Sequence, residues 1–75
     1  MNNWQKYIDI NPEVRFGKPI IIGTRITVAD ILSWLASGMN NESILEDFPE
    51  LTPESILAAL SFAANRENST KILAV

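Results

Sequence analysis

The sequence contains no cysteine and no histidine. Without cysteine, neither a disulfide bond nor a thiolate metal site can brace the fold. Without both residue types, the chain lacks the usual activators of a catalytic nucleophile and the strongest protein ligands for transition metals. We therefore predict a protein that is not an enzyme, that has no small-molecule substrate and that needs neither a cofactor nor a metal ion.

Carboxylates are the remaining candidates for acid–base chemistry. Glu46, Asp47 and Glu50 lie close together in the sequence. A catalytic carboxylate needs a buried setting, whereas acidic residues at the end of a helix are usually solvated. We expect this cluster to be a solvated helix end without a catalytic role.

Long apolar runs are also absent. No run approaches the roughly 20 residues that span a membrane. The segment Met1–Lys6 lacks the basic start and the apolar stretch of a signal peptide. These absences predict a cytoplasmic protein without membrane contact.

The composition that is present is typical of one small folded domain. Of 75 residues, 47% are hydrophobic and 20% are charged, which is too apolar for a disordered chain and too charged for a membrane protein. A domain of this size buries only about 60% of the surface of its unfolded chain. We therefore predict a homodimer, because a second copy would bury more surface.

The charges are unevenly distributed along the chain. Residues 1–27 carry four cations and two carboxylates, whereas residues 28–75 carry two cations and seven carboxylates. Lys and Arg supply most of the non-specific affinity for phosphates. A nucleic-acid interface is therefore expected in the N-terminal third, and the remainder would repel DNA.

The N-terminal third has the pattern of extended structure. Alternation over Tyr7–Ile10, a short apolar segment at Val14–Phe16 and the β-branched run Ile20–Ile22 predict two or three short strands, separated by proline and glycine. The isoleucine run is typical of a strand covered on both faces, as at a subunit contact.

Three helices are predicted after these strands. Thr27 caps the first, with Asp30 in a capping-box arrangement, and Gly38 ends it. Asn40 or Asn41 caps a second helix that Pro49 stops. The third begins at Thr52-Pro53-Glu54 and runs to about Asn65. Apolar residues at helical spacing predict the buried face of each helix. The first helix buries Val28, Ile31, Leu32 and Leu35, and the second buries Ile44, Leu45 and Phe48. The third buries Ile56, Leu57, Ala59, Leu60, Phe62, Ala63 and Ala64.

Together these elements predict a mainly α fold, a three-helix homeodomain-like (helix-turn-helix) bundle preceded by two or three short N-terminal β-strands. We predict one domain over residues 1–66, with an extended arm at 1–26 and the helical core at 27–66. Residues 67–75 are predicted to be a C-terminal tail.

Two groups of residues have a structural and a functional interpretation. The glycines beside Lys18 and Arg25 are more typical of turns than of a phosphate loop, because Lys18 precedes Pro19 instead of opening a helix. Arg25 could also pair with Asp30 at the surface. The aromatic residues Trp4, Tyr7 and Trp34 are interpreted as core or dimer packing in preference to base stacking.

Several short motifs resemble the bacterial domain of unknown function 433 family. The resemblance runs from about Tyr7 to Ala64, and the segment from Gly17-Lys18-Pro19 to Gly23-Thr24-Arg25 is its most specific part. The matching motifs are Ile10-Asn11-Pro12, Gly17-Lys18-Pro19-Ile20, Gly23-Thr24-Arg25-Ile26-Thr27-Val28, Ile31-Leu32, Gly38, Ile44-Leu45, Asp47-Phe48-Pro49, Leu51-Thr52 and Ala58-Ala59-Leu60.

The resemblance implies a homeodomain-like helical domain behind short strands, with no established enzymatic activity. It also implies a role as the antitoxin beside a toxin that resembles PIN-domain ribonucleases. The matching positions with polar functional groups are Lys18, Thr24 and Arg25.

Two functional hypotheses follow. In the first, a homodimer of an antitoxin binds its own promoter DNA. Cations contact phosphates, and the third helix is positioned by shape, because its first turns offer no Arg, Lys, Asn or Gln for base readout. The nucleic-acid-binding residues are then Arg15, Lys18, Thr24, Arg25, Thr52 and Ser55.

In the second hypothesis the chain is a protein-interaction module that neutralises a PIN-like ribonuclease toxin without binding DNA. Its acidic surface would complement a basic toxin. The apolar residues of the tail would then bind the partner, at Ile72, Leu73 and Val75.

Overall fold

A computed structural model describes residues 4–74, with the side chains of residues 4–66. The chain forms two short strands followed by three helices, which confirms the predicted mainly helical fold. A 3₁₀ turn at Trp4–Lys6 precedes them. The bounds are β1 (Ile8–Asp9), β2 (Ile20–Ile21), α1 (Val28–Ala36), α2 (Asn41–Asp47) and α3 (Pro53–Ala74).

Each helix begins where its capping residues predict. Thr27 Oγ1 accepts the Asp30 amide at 2.9 Å, and Asp30 Oδ2 accepts the Thr27 amide at 3.1 Å, which completes the capping box of α1. Asn40 Oδ1 accepts an amide of the first turn of α2 at 2.8 Å. At the start of α3, Thr52 Oγ1 accepts the Ser55 amide at 3.2 Å. The side-chain oxygens thus satisfy amides that have no partner within the helix.

The core lies where α3 packs against α1, α2 and the Trp4–Lys6 turn. Each helix contributes one isoleucine that is fully buried, namely Ile31, Ile44 and Ile56. Trp4 meets Phe62 edge to face, with 4.8 Å between the ring centroids. Trp4, Tyr7 and Trp34 pack against the buried cluster, as predicted for core residues.

The two strands form a small antiparallel sheet, whose Ile8 and Ile21 belong to the same buried cluster as the helix residues. Ile8 pairs with Ile21, and Asp9 pairs with Ile20. Ile20 and Ile21 are buried by the chain itself, whereas Ile22 is 52% exposed. Within one chain the expected coverage of the run thus holds for Ile20 and Ile21 and not for Ile22, where coverage by a second subunit stays a prediction.

The predicted extended segment Val14–Phe16 is a left-handed turn. Arg15, Phe16 and Gly17 have φ angles of 50°, 61° and 79°. The Gly17 amide donates to the carbonyl of Val14 at 3.1 Å, and the Lys18 amide donates to that of Arg15 at 3.2 Å. Two apolar residues around one polar residue are too short a pattern to distinguish this turn from a strand.

The third helix is longer than predicted. It continues to Ala74, beyond the end expected near Asn65, because residues 66–74 contain neither glycine nor proline to stop it. Residues 67–74 of the predicted tail thus continue the helix. The side chains of Ile72 and Leu73, and Val75 as a whole, lie outside the described part of the chain, so their partner-binding role stays a prediction.

The buried face of α3 is also rotated from the predicted one. Ser55 and Ala58 are buried beside Ile56, Ala59 and Phe62. Three residues predicted to be inside are exposed instead: Leu57, Leu60 and Ala64, which we call the α3 stripe. They lie three and four residues apart, so they share one face of the helix.

Within residues 4–74, no helix is long and apolar enough to cross a membrane. The cytoplasmic location stays a prediction.

Candidate functional site

An open groove of about 690 Å³ lies beside the loops of the N-terminal third. We call it the loop groove. Arg15, Thr24 and Arg25, all predicted from the sequence as site residues, line it. The fold therefore brings half of the predicted nucleic-acid-binding set to one place.

Arg15 forms one wall of the loop groove. Its Nη1 donates to the carbonyl of Arg25 at 2.7 Å and to Asp30 Oδ2 at 3.3 Å. The ion pair with Asp30 is therefore made by Arg15 and not by Arg25, whose pairing with Asp30 was one of the alternatives that the sequence left open. Both side chains of the pair are about one-third exposed, at 34% and 33%, so the charge–charge attraction alone contributes about 0–1 kcal/mol.

Thr24 shapes the turn that presents Arg25. Its Oγ1 donates to the carbonyl of Ile21 at 2.9 Å and accepts the amide of Ile26 at 2.9 Å. Gly23, with φ of +83°, supplies the left-handed conformation that the turn requires. Arg25 is exposed at the end of this turn. The Thr24 hydroxyl is thus occupied in holding the loop.

Two stacked aromatic rings also line the groove. Trp34 of α1 and Phe48 after α2 have ring centroids 4.1 Å apart and planes inclined by 8°. Asp30 and Glu50 add carboxylates to the lining. The groove therefore combines an aromatic surface with charges of both signs, which suits an apolar group with a charged neighbour better than a bare phosphate.

The sequence signals did not show that Trp34, Phe48 and Glu50 belong to this site. Trp34 lies on α1 and Phe48 lies after α2. The loops that share the groove with these two rings, at residues 14–15 and 23–26, are distant from Phe48 in the sequence. Their apolar spacing indicates burial and gives no information about which loop lies opposite.

The remaining predicted site residues lie elsewhere. Lys18 is exposed on the loop after the left-handed turn, and Thr52 is exposed before α3. Ser55 is only 4% exposed, and its Oγ lies 3.1 Å from Thr52 Oγ1. This burial argues against direct contact between Ser55 and a ligand, whereas the roles of the other residues stay predictions.

Acidic residues do not form a candidate metal site in the part of the chain that is described. Within it, no group of three or more carboxylates is placed to hold a metal ion. Glu46, Asp47 and Glu50 are all exposed, as expected of a solvated helix end.

A family model described as a protein of unknown function (DUF433) matches residues 8–63. The chain belongs to the DUF433 family. The matched range includes both strands, α1, α2, the start of α3 and every residue named above as lining the loop groove. The predicted family resemblance is thereby confirmed.

A structural neighbour supports the same assignment. The crystal structure of a DUF433 member protein from Anabaena variabilis ATCC 29413 superposes with a TM-score of 0.77 at 30% sequence identity, over 95% of this chain and 71% of that one. The uncharacterized protein y4eO of Sinorhizobium fredii (strain NBRC 101917 / NGR234) is 32% identical over 59 residues, which cover 79% of this chain. This DUF433 chain spans 27% of the length of y4eO.

We expect Arg15→Lys to lower the free energy of unfolding by about 0.5–1 kcal/mol, because the lysine side chain is one atom shorter than the reach of Nη1, the nitrogen that donates to both the Arg25 carbonyl and Asp30. Urea denaturation would measure this change. The matched control is Arg25→Lys, whose exposed side chain should leave stability within about 0.5 kcal/mol. Equal stability of the Arg15→Lys variant and the unchanged protein would contradict this role of Arg15.

Proposed function

We propose that this DUF433 chain is a non-enzymatic protein-interaction domain of the antitoxin type, which binds and covers a cationic partner protein. The observation that carries the proposal is the α3 stripe, because it exposes two leucines on a helix whose other face is packed in the core. Leu57 is 51% exposed and Leu60 is 40% exposed.

The stripe has the character of a contact surface. A helix of a small domain usually turns its leucines toward the core, and neighbouring exposed apolar residues within a polar rim are typical of an interaction site. On α3, Ile56, Ala59 and Phe62 already fill the inner face. The outer leucines are therefore available to a second molecule.

The charges of the helical part indicate what kind of partner fits. The carboxylates of α2, of the loop after it and of the start of α3 are all exposed: Glu42, Glu46, Asp47, Glu50 and Glu54. Glu54 lies three residues before Leu57, so it shares a face of α3 with the stripe. A protein that binds RNA presents cations to the phosphate backbone, and an acidic surface complements such cations. This agrees with the PIN-like ribonuclease toxin that the family resemblance implies as the partner.

If a small nuclease-like protein is encoded beside this chain, we expect the chain to form a stable complex with it and to inhibit its ribonuclease activity. In Leu57→Glu/Leu60→Glu, we expect affinity to fall at least about tenfold, since central apolar contacts dominate interface energies. Size-exclusion chromatography with light scattering and a titration of the inhibition would measure both effects.

The matched control is Ser33→Glu/Ala36→Glu, which adds the same two charges at exposed positions of α1. It should bind as the unchanged chain does. Thermal unfolding of both double variants would show that they fold. Absence of a complex would contradict the antitoxin function, and a complex insensitive to the leucine substitutions would contradict the assignment of the α3 stripe.

Promoter binding by a homodimer is the second candidate function. Lys18 and Arg25 favour it, because both are exposed on loops of the N-terminal third and the Arg15 side chain connects the two loops through the Arg25 carbonyl. Cations in this arrangement would contact phosphates without reading bases.

If the chain binds DNA from its own promoter region, Lys18→Ala/Arg25→Ala should weaken binding and lower the slope of log K against log salt by about 2, which corresponds to two lost phosphate contacts. Fluorescence anisotropy at several salt concentrations would measure the slope. Lys6→Ala removes an exposed cation elsewhere and should leave the slope unchanged. No binding at low salt would rule this candidate out.

A further inference from the structure

We propose that two copies of this chain dock reciprocally, with Phe16 of each copy inserted into the loop groove of the other. This inference is distinct from the partner protein proposed above, because its apolar contact is made by Phe16 and the loop groove and not by the α3 stripe. It assigns an occupant to the loop groove and a role to the most exposed large apolar side chain that the structure describes.

Phe16 is held outward at a cost to the backbone. Its side chain is 94% exposed, and both Phe16 and Arg15 have positive φ, a conformation that L side chains rarely adopt. The fold gains no burial from this phenylalanine. Strained and exposed residues of this kind occur mainly where they contact a ligand.

The turn that carries Phe16 is held in place by contacts within a single chain. Two backbone hydrogen bonds close it, and the Arg15 guanidinium joins it to Arg25 and Asp30. A side chain presented on a rigid turn loses little conformational freedom on binding, so more of its contact energy remains as affinity.

Phe16, the anchor of the proposed contact, and the loop groove are neighbours on the molecule. Arg15 lines the loop groove, and Phe16 is the next residue. When a projection and a complementary depression lie side by side, a two-fold axis allows each copy to give and to receive the same contact, which closes the assembly at a dimer.

The groove suits a phenyl ring and its charged neighbour. Its volume of about 690 Å³ holds a phenyl ring with room to spare, and the stacked Trp34 and Phe48 line it. Aromatic rings gain stabilisation from one another beyond area burial. Lys18, exposed two residues after the anchor, would meet the exposed Glu50 at the groove of the second copy.

Single-stranded nucleic acid is the competing occupant, because bases stack on exposed aromatic rings beside cations. The carboxylates of Asp30 and Glu50 in the groove disfavour phosphate there. A second copy therefore fits the lining better.

Sedimentation equilibrium of the full chain over a range of concentrations tests the anchor. We expect a dimer that Phe16→Ala weakens at least about tenfold and that Phe16→Trp retains. The matched control is Ile22→Ala, which truncates a 52% exposed residue of the same region that does not line the groove; it should change the dimer constant less than about threefold. Thermal unfolding would show that all variants fold.

A charge exchange tests the reciprocal geometry. Lys18→Glu alone and Glu50→Lys alone place like charges together at both contacts and should each weaken the dimer. Mixing the two variants gives a pair in which both contacts are again complementary, so we expect the mixture to recover dimers. A mixture that remains monomeric while the unchanged chain dimerises would overturn the arrangement.

Two further outcomes would overturn the proposal. One is an unchanged chain that stays monomeric up to about 100 μM, because the affinity between two copies would then be lower than a specific interface provides. The other is a monomer that binds single-stranded oligonucleotides through Phe16, which would assign the anchor to nucleic acid.

Discussion

The carboxylate of Asp30 connects the two parts of this DUF433 domain. It closes the capping box of α1 by accepting the Thr27 amide, and it receives Nη1 of Arg15. The same guanidinium nitrogen also donates a hydrogen bond to the Arg25 carbonyl. Each bond is modest by itself, but bonds that share groups restrict one another. The start of the helical core, the left-handed turn and the loop that carries Arg25 are therefore fixed as a unit.

This arrangement gives a small domain two different surfaces. The α3 stripe is apolar and lies in the helical part of the chain, where the exposed carboxylates outnumber the exposed cations among the described side chains. The loop groove has an aromatic lining beside cations and carboxylates. We propose the stripe as the contact for a basic protein and the groove as the contact for the Phe16 turn of a second copy. The apolar residues of the two surfaces lie on different elements, whereas Glu50 belongs both to the lining of the loop groove and to the exposed carboxylates proposed to meet the partner.

Local signals in the sequence predicted more of the fold than of the site. Thr27, Asn40 and Thr52-Pro53 mark the helix starts correctly, because the capping bonds join residues only three positions apart. The exposure of Leu57 and Leu60 could not be predicted in this way, since the packing of distant elements decides which face of α3 is buried. The left-handed turn at Phe16 likewise depends on Arg15 reaching residues 10 and 15 positions away.

Native-state hydrogen exchange on Asp30→Ala would test most directly whether Asp30 joins the loops to the helices. We expect the Gly17 and Lys18 amides, bonded within the turn, to exchange at least about tenfold faster, while the α3 amides of Ala59 and Phe62 change less than about threefold. Unchanged exchange in the turn, or an equal increase throughout the domain, would contradict this coupling.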